Sequence, residues 1–203
     1  MVKIILIRHG ETDWNLVRRI QGGESDTPLN DTGKNQAAAL ANRLQDEHIT
    51  AVFSSPLQRA LHTAEAIASR HNLEVQILPS LKEIKVGTLE GCLATDIMQR
   101  FDEYLCGDGN GKEPHTPPGG ESVEDLQKRV WEMITSLTAQ HPNGKLVLVT
   151  HYFVIMAIVC RLLDLPLTRM ARLKLTNGTI TSFTVDGSTI RLDLFNENAH
   201  NLK

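Results

Sequence analysis

The chain has 203 residues, 41% hydrophobic and 22% charged, with a formal net charge of −3 and a pI of about 6.2. This is ordinary globular composition and enough sequence for one domain with a substantial core, without the basic field that general nucleic-acid binding needs. No stretch approaches the ~20 apolar residues that span a bilayer, the N-terminal apolar run is too short for a signal-peptide core, and three cysteines without metal-ligand spacing point to a reduced, cytoplasmic compartment.

Val2 to Ile7 reads as a buried strand that ends abruptly in charge at Arg8 and His9. Pro28 to Gly33 reads as a turn, after which Ala37, Leu40, Ala41 and Leu44 follow helical spacing. Ala51 to Phe53 is a short strand. Ser55-Pro56-Leu57-Gln58 then has the form of a helix start, with a serine cap, a proline at the first position and a glutamine three residues on. Leu57, Ala60, Leu61, Ala64, Ile67 and Ala68 form that helix's apolar stripe. Val75 to Leu78 is a third strand, and Ser122 caps a helix running to about Ala139.

Lys145 to Val149 is another buried strand, followed by a helix from about Tyr152 to Leu163. Strands are expected near 172–176, 179–185 and 189–195, with turns at Asn177-Gly178 and Asp186-Gly187. This order predicts an α/β three-layer sandwich with a mainly parallel central sheet and antiparallel strands toward the C-terminus. Residues 104–120 stand apart, with five glycines and three prolines. A loop this long in a compact domain is often functional, and 84–120 reads as a cap or lid insertion.

Four charged candidates fall just past strands: His9, Arg59 in the first turn of the helix after the second strand, Glu83, and His151. In an open parallel sheet ligands bind beyond the carboxyl ends of the strands, so these residues converge on one edge. Their types suit a phosphomonoester. Arg8 and Arg59 match its non-bridging oxygens, and His151 and the Asn15 amide add donors. His9 can attack phosphorus, and Glu83 with a raised pKa can protonate the leaving oxygen and then activate water. Neutralising charge on the equatorial oxygens is the main demand of phosphoryl transfer, so no metal or cofactor is required.

The chain resembles the histidine phosphatase superfamily, the phosphoglycerate-mutase-like group, over nearly its whole length. The resemblance rests on Leu6-Ile-Arg-His-Gly-Glu-Thr-Asp-Trp-Asn15, Ile20-Gln-Gly22, Asp26-Thr-Pro-Leu29, Ser54-Ser-Pro-Leu-Gln-Arg-Ala60 with Thr63-Ala64, Leu81-Lys-Glu83 with Gly87, Gly120-Glu-Ser122, and Thr150-His151. It implies a phosphoglycerate-mutase-like fold, a phosphohistidine at His9, a pocket of Arg8, Arg59 and His151, and Glu83 as proton donor. Asn15, Gln21 and Gly22 are implied to border the phosphate pocket. The family commonly has glycine after the late histidine, where this chain has Tyr152, and often tryptophan where it has Leu89. Tyr152 either narrows the pocket or turns its ring away, which bears on substrate choice.

The leading expectation is metal-independent hydrolysis of a small phosphomonoester. The alternative, a phosphoglycerate mutase, must grip a carboxylate and two phosphates; between Glu83 and Glu121 the cations are Lys85, Arg100 and Lys112, with no Arg-Arg pair. A non-catalytic phosphate-binding scaffold is a third reading, which His9→Ala would separate. Arg18 and Arg19 could help bind anions, but the leading expectation for both is exposed salt bridges. His48, His62, His71 and His141 are expected to be solvated, and His200 to lie in a tail that either folds over the site or stays disordered. Edge strands at 75–78 or near the C-terminus could pair copies into a homodimer unless a helix covers them.

Overall fold

Ile4 and Leu6 pack on one face of a central sheet and Ile5 and Ile7 on the other, so the first strand is buried on both sides. The computed structural model describes residues 1–97, 115–198 and 200. Its strands are β1 (Val2–Arg8), β2 (Ala51–Ser54), β3 (Val75–Ile77), β4 (Lys145–Thr150), β5 (Ile180–Asp186) and β6 (Thr189–Glu197). They form one sheet in the order β3-β2-β4-β1-β5-β6. The pairs β3·β2, β2·β4 and β4·β1 are parallel, and β5 and β6 join beside β1 as an antiparallel hairpin.

Helices α2 (Asp31–Leu44) and α3 (Gln58–Ser69) cover one face, packing Leu40, Leu44, Ala60, Ala64 and Ile67 against Val52, Val147 and Val149. Helices α4 (Val123–Gln140) and α5 (Tyr152–Leu162) cover the other, with Leu126, Val130, Ile134 and residues 153–160 over Leu6, Leu146 and Leu148. The three layers of the α/β sandwich are thus present. A one-turn helix, α1 (Asp13–Leu16), follows β1 with a capping box between Thr12 and Asn15. The chain leaves β1 toward β2 through α2 on one face, and leaves β4 toward β5 through α5 on the other. The crevice between adjacent β1 and β4 is therefore where the connections diverge, the position at which open α/β sheets bind ligands.

Three boundaries depart from the sequence reading. Asp31 to Gly33 is already helical, capped by the Asn30 side chain, which accepts from the Gly33 N–H at 2.8 Å. α3 starts at Gln58 with Leu57 as its cap residue, and Ser55 does not cap it. A distant residue does that work: the Asp26 carboxylate accepts from the Gln58 N–H at 2.7 Å and its side-chain amide at 3.1 Å. The strand expected near 172–176 is absent. Leu167–Arg172 is a 3-10 helix entered from Pro166, and beyond it Leu175 O accepts from Arg8 while Thr176 N donates to Asn196, so the ladder's backbone groups are used elsewhere.

The middle of the expected lid, including Cys106, lies outside the described residues at 98–114. The flanks of the 84–120 segment are stitched together, with Thr88 N donating to Pro118 O at 3.1 Å and Glu121 N to Lys85 O at 2.8 Å. Gly87 permits this seam: its φ is +53° and a Cβ there would sit 2.1 Å from Pro118 O. Among the described residues no helix is long and apolar enough to cross a membrane.

Candidate active site

β1 and β4 run in parallel register with Arg8 opposite Thr150, so His9 and His151 leave adjacent strands side by side. Their ring centroids are 5.1 Å apart, tilted by 60°. His9 Nδ1 lies 2.7 Å from its neighbour's carbonyl, Gly10 O. Only a protonated nitrogen can donate to a carbonyl, so Nδ1 carries the hydrogen and Nε2 presents a lone pair. The His9 backbone is pinned by its N–H to Thr150 O at 3.1 Å and by Gly178 N and Asn177 Nδ2 to its carbonyl at 3.1 and 3.2 Å.

The second histidine meets a hydroxyl. Leu57 N donates to Ser55 Oγ at 3.3 Å, and His151 Nε2 lies 2.7 Å from the same oxygen. His151 Nδ1 is buried with no partner, and so are two donors, Arg8 Nε and Arg59 Nε. Leaving such groups unsatisfied costs on the order of 1–3 kcal/mol each, more when charged. The remaining guanidinium nitrogens hold the arginines in place: Arg8 Nη1 donates to Leu175 O at 2.6 Å, and Arg59 donates to Ser25 O at 2.7 Å and Gly22 O at 3.0 Å. Glu83 accepts from the N–H groups of Ile84 at 2.9 Å and Phe153 at 3.2 Å.

A cavity of about 160 Å³ opens over this floor, lined by Arg8, His9, Asn15, Gln21, Glu83 and Tyr152 from the expected set, and by Arg19, Ile20, Val86 and Phe153. Arg59, His151 and Gly22 are not in that wall. Arg59 and His151 are fully buried, His151 against His9. Gly22 instead permits close packing: a Cβ there would lie 2.6 Å from both Glu90 Oε2 and Val86 Cγ2. Asn15 Oδ1 accepts from Thr12 and Asn177, so its amide N–H₂ is the donor end left over. The Tyr152 ring does not turn away. It lines the cavity with its centroid 5.3 Å from the Arg8 guanidinium carbon.

Burial dominates the electrostatics. It lowers Arg8 and Arg59 to about 10, with the Glu83 charge opposing, so both stay cationic at neutral pH. Burial, then the Arg59 and Arg8 charges, hold His9 well below the ordinary histidine value. His151 is lowered by burial, then by Arg59, His9 and Arg8. Glu83 is raised by burial, against the two backbone N–H bonds and both arginines. Two neutral imidazoles and a carboxyl biased toward its acid form thus sit among two fixed positive charges.

Several contributors were not singled out in the sequence. Ser55, read from the sequence only as a helix cap, lies against His151 Nε2. Glu90 accepts from Gly22 N at 2.9 Å and from the Ser25 hydroxyl, holding the loop whose carbonyls hold Arg59. Arg129 binds Glu121 through Nε at 2.6 Å and the carbonyls of Ser80 and Lys82 at 2.6 and 2.9 Å, which anchors the approach to Glu83. Each lies far in sequence from the group it serves, and no local signal marks it. Arg19 is not in a salt bridge among the described residues. Its guanidinium lies 5.5 Å from the Trp14 ring centroid. His141 is half-buried, edge-on to Phe53. His200 Nε2 lies 2.8 Å from Gly178 O, behind the pinned His9 backbone and not over the cavity. Among the described residues no group of three His, Cys, Asp or Glu could hold a metal ion.

A family model described as the histidine phosphatase superfamily, branch 1, matches residues 4–198. Phosphoserine phosphatase 1 of Hydrogenobacter thermophilus is 38% identical over 171 residues, 83% of this chain and 80% of that protein. A Serratia proteamaculans protein named "Probable phosphoglycerate mutase GpmB" is 34% identical over 181 residues, 89% and 84% of the two chains. The crystal structure of phosphoserine phosphatase from Entamoeba histolytica, in complex with 3-phosphoglyceric acid, superposes with a TM-score of 0.88 at 34% identity over 100% of both chains.

Proposed function

The chain belongs to the histidine phosphatase superfamily, and on that premise we propose that it is a phosphoric monoester hydrolase acting on a small metabolite through a phosphohistidine at His9. The observation that carries this reading is the pair of unpartnered buried donors, Arg8 Nε and Arg59 Nε, together with the unpartnered His151 Nδ1, around a histidine whose Nε2 is bare and whose Nδ1 is committed to Gly10 O. An incoming phosphoryl group supplies the acceptors those donors lack.

His9 Nε2 attacks phosphorus in line as the ester P–O bond breaks, and protonated Glu83 delivers its proton to the leaving oxygen. Arg8 and Arg59 neutralise the equatorial oxygens, with His151 Nδ1–H and the Asn15 amide as further donors. Glu83, now a carboxylate, takes a proton from water as that water attacks the phosphohistidine. The P–N bond breaks, inorganic phosphate leaves, and His9 and Glu83 return to their starting forms.

The test is phosphate release from phosphoserine, 3-phosphoglycerate, sugar phosphates and α-ribazole phosphate, with chelator present and a His9→Ala control. Release that resists chelator and is lost in His9→Ala is expected, with trapped ³²P on the wild-type protein during turnover. Interconversion of phosphoglycerates without phosphate release would replace hydrolysis by mutase transfer. Phosphate binding without turnover of any ester would leave only a scaffold.

A further inference from the structure

The cavity wall holds two guanidiniums, Arg8 and Arg19, against one carboxylate, Glu83. Arg8 is committed to the phosphoryl group. Arg19 has no part in the proposed reaction, yet its position is fixed from three sides. Its Nη1 donates to Gly91 O at 2.5 Å, its plane lies by Trp14, and its backbone bridges to Leu93. The neighbouring backbone is tied to the same stretch, Ile20 N to Cys92 O at 2.8 Å and Ala94 N to Arg18 O at 2.9 Å. Arg19 is half-buried and makes no ion pair among the described residues. Partial burial of a cation without an anion is unfavourable, and holding its fork rigid over a small cavity adds an ordering cost. Both are recovered when an anionic group arrives.

The chemistry of the wall narrows the choice of anion. The guanidinium fork of Arg19 matches a carboxylate bidentately, and Ile20 and Val86 give an apolar wall for the carbons between that group and the phosphoryl group. We propose that Arg19 anchors a carboxylate on the substrate, so that the site selects phosphomonoesters of small hydroxy acids. This rests on the phosphatase reading of the same cavity and assigns Arg19 a role in choosing substrate, separate from the bond-breaking steps.

The experiment compares esters that differ at one group, on the full chain and on Arg19→Gln and Arg19→Lys. The pairs are phosphoserine against phosphoethanolamine, and 3-phosphoglycerate against glycerol 3-phosphate, with propanediol bisphosphate as a second phosphoryl group without a carboxylate. Wild type should favour the carboxylate member roughly ten- to a hundredfold in kcat/KM, the range of a charge-assisted contact, and mainly through KM. Arg19→Gln should bring the ratio close to one, and Arg19→Lys, which keeps the charge without the fork, should fall between. Equal losses on both members of a pair would show that Arg19 only supports the fold and would overturn the proposal, as would preference for the bisphosphate. Hydrolysis of every ester at similar rates by wild type defeats the carboxylate anchor while leaving the phosphatase standing. If no ester is hydrolysed, the phosphatase reading fails, and calorimetric binding of phosphoserine against phosphoethanolamine still reads the ratio. If Arg19→Gln does not fold, Arg19→Lys carries the comparison.

Discussion

A histidine nucleophile needs one nitrogen bare and the other occupied, and His9 meets this with the carbonyl of the very next residue. The Arg8-His9 pair at a strand end was legible as a short local pattern. The acceptor that fixes its tautomer was not, because backbone direction at Gly10 has no sequence signature. Glu83 was legible by residue type and order, but its elevated pKa comes from burial, which only the packed chain shows. That elevation sets a testable pH dependence. The step needs Glu83 protonated, so kcat/KM should fall as pH rises through its raised value, while His9, held well below 6.5, stays a free base throughout. Glu83→Gln should remove this alkaline limb. The loss should be roughly 10²- to 10⁴-fold for alkyl esters, the usual contribution of a general acid, and much smaller for p-nitrophenyl phosphate, whose leaving oxygen needs no proton. Equal losses on both ester classes would rule Glu83 out as the acid.

Among the elements, the start of α3 shows why local rules misplace a boundary. Ser-Pro-Leu-Gln has a good cap sequence, but Ser55 lies against His151, and Asp26 takes over the exposed N–H of Gln58 from another loop. A tertiary partner displaced the local one, and the same holds at 172–176, where Arg8 claims the carbonyl of Leu175. The loop from Gly22 to Ser25 serves Arg59 in turn, gripped by Glu90 on one side and presenting two carbonyls on the other. Gly22→Ala should push this loop off Glu90 and Val86. We expect a destabilisation of about 1–3 kcal/mol, typical of overpacking, read by denaturant unfolding, together with weaker inhibition by orthovanadate. Full stability with unchanged orthovanadate affinity would show that the loop does not position Arg59.

Across the whole molecule, the strands and the helices α4 and α5 were readable because long apolar periods leave little choice of structure. The sheet order was not, since pairing β4 between β2 and β1 depends on contacts between residues as far apart in sequence as Lys3 and Lys145, or Ala51 and Leu146. Folding around a charged floor also links stability to pH. His9 and His151 are held below their unfolded value of 6.5, so the unfolded chain binds more protons there and their contribution is lost as pH falls below that value. Glu83 works the other way: raised above 4.5, its contribution is complete below that value and is lost as pH climbs through the raised one. Melting temperature should therefore drop between pH 7 and pH 5, the drop should shrink in His9→Asn, and it should grow in Glu83→Gln. A drop identical in all three proteins would exclude this origin. The register of β1 on β4 has one more consequence. It sets the separation of the two imidazoles through the backbone ladder, while Arg19, Tyr152 and the stitched flanks of the 84–120 segment sit on connections outside the ladder. On the proposed reading the sheet sets the spacing of the histidine pair, while Arg59, Glu83 and Arg19 all come from connections, so a change confined to the connections around Arg19 and Tyr152 should admit a new ester while the two imidazoles keep their geometry.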